Sequence, residues 1–381
     1  MTRSSCLRPW LAAALLVTGL GLPSAARAQD QVVSSQALKS KAQVQAYWTT
    51  TRMKNAKAMA LPTLAGGPHP MTGASAAEVT GPLVVGNSGL PGEGPAELVG
   101  AAAAAALQQA AGPVPQAHAG TFAYSRYRLF PNTDSQYTRF PYSAVGQLFF
   151  TIPGQGDFVC SGSTVNARNR SLVWTAGHCV YSPGIGFHTN FLFVPARHEP
   201  TAPLGLFTAI QAFTTAQWAN TGQFEFDHGA LVMARGGKSG NSKIADVTGF
   251  LGFLANAERQ QQFSDHGWPV GPRNRSQTPP GAQFDGLHHE ICDAAFGAKD
   301  DPSQNGGALT SVIGCDQTGG TSGGPWIVDF SGVSGNTNLV NGSNSYRYGG
   351  PNPPENLKLY GPYFSDAAIN LRNIAQAVPV P

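Results

Sequence analysis

Charge is scarce in this chain. Charged residues fill only 12% of its 381 positions, and the formal net charge is +3. No block of Lys and Arg is long enough to mark a nucleic-acid surface. Cysteine is sparse as well: there are five, and no CxxC pair is present to build a zinc site. HExxH spacing is absent, so the metal-binding helix it would mark is not indicated. Beyond the N-terminus no apolar run is long enough to span a bilayer. No histidine follows Ser322, which constrains the order of the reacting groups.

Glycine (46) and proline (29) are plentiful. With so little charge, this composition suits a turn-rich, exported β protein. The first residues carry an export signal. Arg3 and Arg8 supply positive charge, Leu11 to Leu22 is apolar, and Ala26-Arg27-Ala28 is a small-x-small cleavage site. The exported chain is predicted to start at Gln29. The apolar run falls short of the roughly 20 residues a membrane anchor needs, so stable membrane insertion is not expected after signal removal. Cys6 leaves with the signal. Cys160, Cys179, Cys292 and Cys315 remain, an even number that suits two disulfides in an oxidising compartment. Three connectivities are possible, and spacing favours Cys160–Cys179 and Cys292–Cys315.

Residues 29–120 differ from the rest of the chain. They contain no cysteine. Ser34 to Ala60 reads as one helix made basic by Lys39, Lys41, Arg52, Lys54 and Lys57. Gly/Pro-rich stretches come next, then an alanine run from Ala101 to Ala106, closed by Gly112-Pro113-Val114-Pro115. Such a composition does not suggest a large core. The stretch reads as a loosely structured propeptide and linker.

From Thr121 short apolar runs alternate with turns. Val145 to Ile152, Phe158 to Val165, Leu172 to Thr175, Phe191 to Val194, Ala209 to Thr214, Ala230 to Ala234, Val247 to Leu254 and Trp326 to Phe330 read as strands. Pro153-Gly154-Gln155-Gly156 reads as a hairpin turn. The pattern indicates an all-β barrel or sandwich. Ser365 to Val378 carries Ala368, Ile369, Leu371, Ile374 and Val378, which suits one terminal amphipathic helix with Ser365 near its N-cap. The stretch 121–381 is long enough for two small barrels packed together.

Two short blocks carry the chemistry. Residues 174–179 read Trp-Thr-Ala-Gly-His-Cys, centred on His178. Residues 315–325 read Cys-Asp-Gln-Thr-Gly-Gly-Thr-Ser-Gly-Gly-Pro, centred on Ser322. A serine hydroxyl is a weak nucleophile until an imidazole takes its proton and backbone N–H groups hold the oxyanion. Gly320-Thr321-Ser322-Gly323-Gly324 also fits the G-x-S-x-G elbow of α/β-hydrolases, whose order is Ser, acid, His. With no histidine after Ser322 that order is impossible, and His, acid, Ser remains.

The blocks Cys160-Ser161-Gly162-Ser163, Thr175-Ala176-Gly177-His178-Cys179 and Gly320-Thr321-Ser322-Gly323-Gly324-Pro325 together resemble a trypsin-like (chymotrypsin-fold) serine peptidase. The resemblance covers roughly residues 139–378. Tyr142-Ser143-Ala144-Val145-Gly146 and the Phe-Asp-His-Gly-Ala-Leu stretch are similar to the secreted bacterial and fungal branch that includes glutamyl endopeptidases. Tyr47-Trp48-Thr49, with Arg52-Met53, resembles the pro-segment of such enzymes.

The resemblance implies two packed six-stranded antiparallel β-barrels and a C-terminal helix. It implies a secreted or periplasmic endopeptidase acting on proteins or peptides as a monomer, without cofactor or metal. It implies a triad of His178, Asp227 and Ser322, with the backbone N–H groups of Gly320 and Ser322 as the oxyanion hole. Asp227 stands at the entry to an apolar strand. Glu225, Asp246, Asp265, Asp285 and Asp293 read instead as solvated turn acids. An inactive binding module on the same fold is the alternative, though binding does not require all three triad positions.

The sequence departs from the family at two places. Trypsin-type zymogens carry an aspartate directly before the serine, and here that residue is Thr321, so the usual amine-to-carboxylate switch is not expected. Asp316 matches the position that floors the primary pocket. Asn344 falls where the glutamyl branch places a histidine, and Arg347 falls near the pocket rim. There Arg347 would neutralise Asp316, bind an acidic substrate, or simply face solvent. These residues leave the primary preference open. Among the other histidines, His188, His198 and His266 read as loop residues, and His288-His289-Glu290 as a surface loop rather than a metal site.

Overall fold

Six apolar strands close on one another in the first half of the computed structural model, which describes residues 31–71, 81–110, 122–129, 136–198, 200–272, 283–349 and 355–381. The strands are Val145–Ile152, Gly156–Thr164, Leu172–Ala176, Thr189–Pro195, Phe207–Thr215 and His228–Met233. Thr189–Pro195 pairs with Val145–Ile152, and the ladder runs on through Gly156–Thr164 and Leu172–Ala176 to His228–Met233. Phe207–Thr215 joins that last strand back to the first. Every pairing around this ring is antiparallel, so the sheet is a closed barrel without free edges. The predicted hairpin turn forms between Ile152 and Gly156. Alternate residues fill the barrel: Leu148, Phe150, Val173, Phe193, Leu231 and Met233 are all fully buried in one cluster. The Cys160–Cys179 bridge is present.

The second half forms a larger sheet. Its order is Lys358–Pro362, Thr310–Gly314, Glu290–Asp300, Gln262–Gly267, Pro325–Val328, Leu339–Ser343 and Gly252–Ala255, followed by Val84–Gly86 and Glu97–Val99. The Cys292–Cys315 bridge ties two neighbouring parts of it. The strand ladder stays open among the described residues, because two strands from the N-terminal segment extend its Gly252–Ala255 edge. A single bridge between Tyr346 and Tyr360 links the stretch after Leu339–Ser343 to Lys358–Pro362. The Val247 to Leu254 run divides into a short helix, Ile244–Thr248, and the strand Gly252–Ala255.

The terminal helix is Asp366–Gln376, with Ser365 at its N-cap but without a side-chain cap bond. Ala368, Leu371 and Ala375 face the core. Ile374, expected on the same face, is exposed.

The expected helix from Ser34 to Ala60 does not form. Val32–Gln36 is a strand, Lys41–Tyr47 and Thr50–Asn55 are two short helices, and Lys57–Ala58 is a strand again. Local capping explains the break. Ser40 and Gln43 make a reciprocal capping box, and the Thr49 hydroxyl accepts the Arg52 N–H to start a second helix.

The segment is also more ordered than its composition suggests. Val32–Gln36 pairs with Phe207–Thr215, Thr63–Leu64 with Arg347–Tyr348, and Pro70–Met71 with Glu290–Asp300. Trp48 is buried against Phe149 and donates its indole N–H to the Asn190 carbonyl at 2.5 Å. It anchors the segment on the barrel by burying a large apolar ring while satisfying its polar atom. The export signal, Gly112 to Pro115 and His118 lie outside the described residues.

Candidate active site

His178 lies on a tight turn, Gly177–Cys179, directly after the strand Leu172–Ala176. The neighbouring strand starts at His228, and the register pairs Ala176 with His228. Asp227, one residue earlier, is thereby set beside His178. The pair is held twice: Asp227 Oδ1 accepts the His178 backbone N–H at 2.7 Å, and Oδ2 lies 2.7 Å from Nδ1. The Ser345 hydroxyl also donates to Oδ2, and the Gly177 N–H donates to the Asp227 carbonyl at 3.1 Å. Asp227 is fully buried. Protein donors, not water, thus satisfy the oxygens of this buried side chain.

Ser322 sits on the turn that follows Gly320. Gly320 has φ +93°, a left-handed conformation suited to glycine. A side chain on Gly323 would meet the Thr175 hydroxyl at 2.0 Å, so the chain after the nucleophile packs directly on the histidine strand. Ser161 braces the turn: its N–H donates to the Ser322 carbonyl at 2.8 Å and its hydroxyl to the Gly320 carbonyl at 2.9 Å. The Gly320 N–H donates to the Met59 carbonyl at 2.8 Å. The Ser322 hydroxyl and His178 Nε2 are both buried and make no hydrogen bond in this structure.

The residues around the turn depart from several expectations. Asn344 is fully buried. Its amide donates to Asp265 Oδ1 at 2.7 Å and to the Thr321 hydroxyl at 2.9 Å, and its oxygen accepts the Trp326 indole N–H at 2.7 Å. The Thr321 hydroxyl in turn donates to Gln317 Oε1. Thr321 thus enters a buried hydrogen-bond network at the position where trypsin-type enzymes carry an aspartate.

Asp316 is fully buried, and Arg126 Nε lies 3.0 Å from its Oδ1, an ion pair whose angle falls outside hydrogen-bond geometry. Arg126 also pairs with Glu290 at 3.2 Å. Arg347 is not solvent-facing. Its guanidinium donates to the Gln317 carbonyl, and burial lowers its pKa to about 10 while nearby Asp316 opposes the fall.

Two rival acids are not solvated either. Asp265 is fully buried, and burial pushes its pKa well above the usual carboxylate range. Glu225 is buried and accepts from the Ser303 hydroxyl at 2.9 Å. His188, His266 and His289 are buried, not loop-exposed. His266 lies within the strand Gln262–Gly267, and its Nδ1 is 2.8 Å from His289 Nε2.

Ser345, Gln317 and Arg126 were not singled out from the sequence. The clusters Cys160/His178/Cys179 and Asp265/Cys292/Cys315 bring potential metal ligands together. In both, the cysteines are joined as disulfides, and disulfide sulfur offers no thiolate to a metal.

Protease Anisep from Arthrobacter nicotinovorans is 34% identical to this chain. The match has a TM-score of 0.51 and covers 62% of this chain and 96% of that one. A thermostable serine protease, AL20, from an extremophilic microorganism is 32% identical, with a TM-score of 0.51 over 62% of this chain and 98% of that one. The chain therefore belongs to the chymotrypsin-fold serine peptidases, which makes it a peptide-bond hydrolase. A curated relative named extracellular metalloprotease, from Bacillus subtilis (strain 168), is 31% identical over 109 residues. That match spans 28% of this chain and 33% of the relative's length. No protein-family model matches the chain.

Proposed function

We propose that the protein is an exported serine endopeptidase working through an acyl-enzyme at Ser322. The observation that carries this reading is the double grip of buried Asp227 on His178 beside the braced Ser322 turn. Ser322 Oγ attacks the scissile carbonyl carbon, and its proton passes to His178 Nε2. The N–H groups of Gly320 and Ser322 receive the oxyanion. His178 then gives the proton to the departing amine as the C–N bond breaks, leaving an ester on Ser322. Water repeats the sequence, frees the acid and restores the hydroxyl. Asp227 fixes the imidazole so that Nε2 faces the serine, and it stabilises the imidazolium.

Residues 1–28 serve as the export signal, and the two disulfides form outside the cytoplasm. The substrates are proteins and peptides, and the chain acts as a monomer without cofactor. The buried ion pair of Asp316 with Arg126 argues against a free acidic pocket floor selecting Lys or Arg. The test is a peptide mixture with cleaved bonds mapped by mass spectrometry. Internal cuts should disappear in S322A. Cutting by S322A at the wild-type rate overturns the assignment.

A further inference from the structure

Residues 57–64 run straight across the site. Lys57–Ala58 pairs with Phe158–Val159, and the Met59 N–H donates to the Val159 carbonyl at 2.9 Å. Val159 directly precedes Cys160, whose disulfide partner borders His178. The Met59 carbonyl then accepts the Gly320 N–H at 2.8 Å. A Cβ placed on Gly319 would meet that same oxygen at 3.0 Å and Ala60 Cα at 3.3 Å. Beyond the turn, the Pro62 carbonyl accepts the Arg347 N–H at 3.0 Å, and the Leu64 carbonyl accepts the Gly349 N–H at 2.8 Å. These bonds fall on the strand that follows Ser345, the donor to Asp227. Leu61 is buried, within the apolar cluster that contains Cys292, Cys315 and Trp326. Ser322 is fully buried beneath this arrangement.

We infer that residues 57–64 are a built-in plug of the active site, laid as a non-productive peptide that consumes an oxyanion donor and keeps Ser322 from substrate. This rests on the reading of Ser322 as the nucleophile. Two features separate a plug from a substrate. The Met59 carbonyl takes only the Gly320 donor and not the Ser322 N–H, so it is not seated for the two-donor stabilisation that acyl transfer needs. The segment also runs parallel to both flanking strands. A peptide with the opposite chain direction would pair antiparallel with each of them, and the two cannot share the cleft. Inhibition is relieved when the segment leaves, and Thr321 has no part in that switch because its hydroxyl is already committed to Gln317 and Asn344.

The test uses the intact chain with two separate variants, L61R and M59P. L61R places a charge at a buried apolar site, and M59P removes the N–H bonded to Val159. Two quantities are read: the rate of Ser322 labelling by a fluorophosphonate probe, and amide hydrogen exchange at Gly320, Arg347 and Gly349 in an S322A background. Uncleaved wild type should label at least tenfold more slowly than either variant, and the three amides should exchange at least tenfold faster in the variants. Measurable labelling that is equal in wild type and both variants overturns the plug, as does unchanged exchange in both. Faster exchange without any labelling leaves the plug standing and removes the serine-nucleophile reading instead.

Discussion

Asp227 binds His178 through both carboxylate oxygens, one to the ring and one to the backbone N–H, each at 2.7 Å. The ring contact governs which imidazole nitrogen is left free, and the backbone contact fixes where the ring starts. D227N should keep the fold, since the amide oxygen can still accept one N–H. It should lower kcat about 10⁴-fold with little change in KM, because the amide favours the wrong tautomer. A loss under tenfold, measured on a peptide substrate, would remove Asp227 from the triad.

The Thr321 network sets a second expectation. T321A deletes a buried hydroxyl that links Gln317 to Asn344. It should cost about 1–3 kcal/mol of stability in denaturant unfolding. Activity of the folded fraction should stay within about tenfold of wild type. Complete loss of activity in a chain that remains folded would show that Thr321 does more than hold the turn.

A third expectation concerns Arg126. R126M removes the ion-pair partner of buried Asp316, while Glu290 keeps Arg128 at 2.6 Å. Removing one partner of a buried pair costs about 3–5 kcal/mol. R126M/D316N should recover part of that loss, since the neutral amide side chain no longer needs a cation. Cleavage after Lys or Arg should be a minor part of the wild-type peptide map. A dominant basic preference would mean that Arg126 does not satisfy the Asp316 charge.

Acid stability follows from buried histidines. Burial lowers the pKa of His188 and His228 to about 4, of His289 to about 3, and of His266 well below its ordinary value. Each is therefore neutral in the folded chain, while the unfolded chain protonates near 6.5. Below that pH the unfolded state binds more protons, so stability is full above about 6.5 and falls as pH drops towards 4. The slope reaches about 1.4 kcal/mol per pH unit for each such histidine. Asp265 acts in the other direction: its raised pKa favours the folded state at low pH and costs stability as pH rises above its unfolded value near 3.8. H228Q should flatten the acid limb of an unfolding-versus-pH curve, and an unchanged slope would count against a neutral buried His228.

Much of the candidate site's layout was legible because it is written locally. Glycines flank Ser322, a cysteine follows His178, and Asp227 opens an apolar strand, so each residue's neighbours state its geometry. The N-terminal segment was not legible for the opposite reason. Its short strands pair with residues more than a hundred positions away, and such partners leave no trace in local spacing. The capping signals of Ser40 with Gln43 and of Thr49 were present, and would have divided the supposed single helix. Asp265 and His266 were misplaced because polar residues in a buried strand look like turn residues until their partners are known, and His289 because the residue leading into a strand can be buried too. Arg347 was read by its position alone, and the carbonyl it binds lies across the fold.

The most direct measurement is intact-mass and peptide mapping of fluorophosphonate adducts on the L61R chain, with the plug displaced. One adduct per chain is expected, on Ser322, lost in S322A and strongly slowed in H178A. A folded chain with fast-exchanging Gly320, Arg347 and Gly349 amides and no adduct on Ser322 would contradict the assignment of Ser322 as the nucleophile.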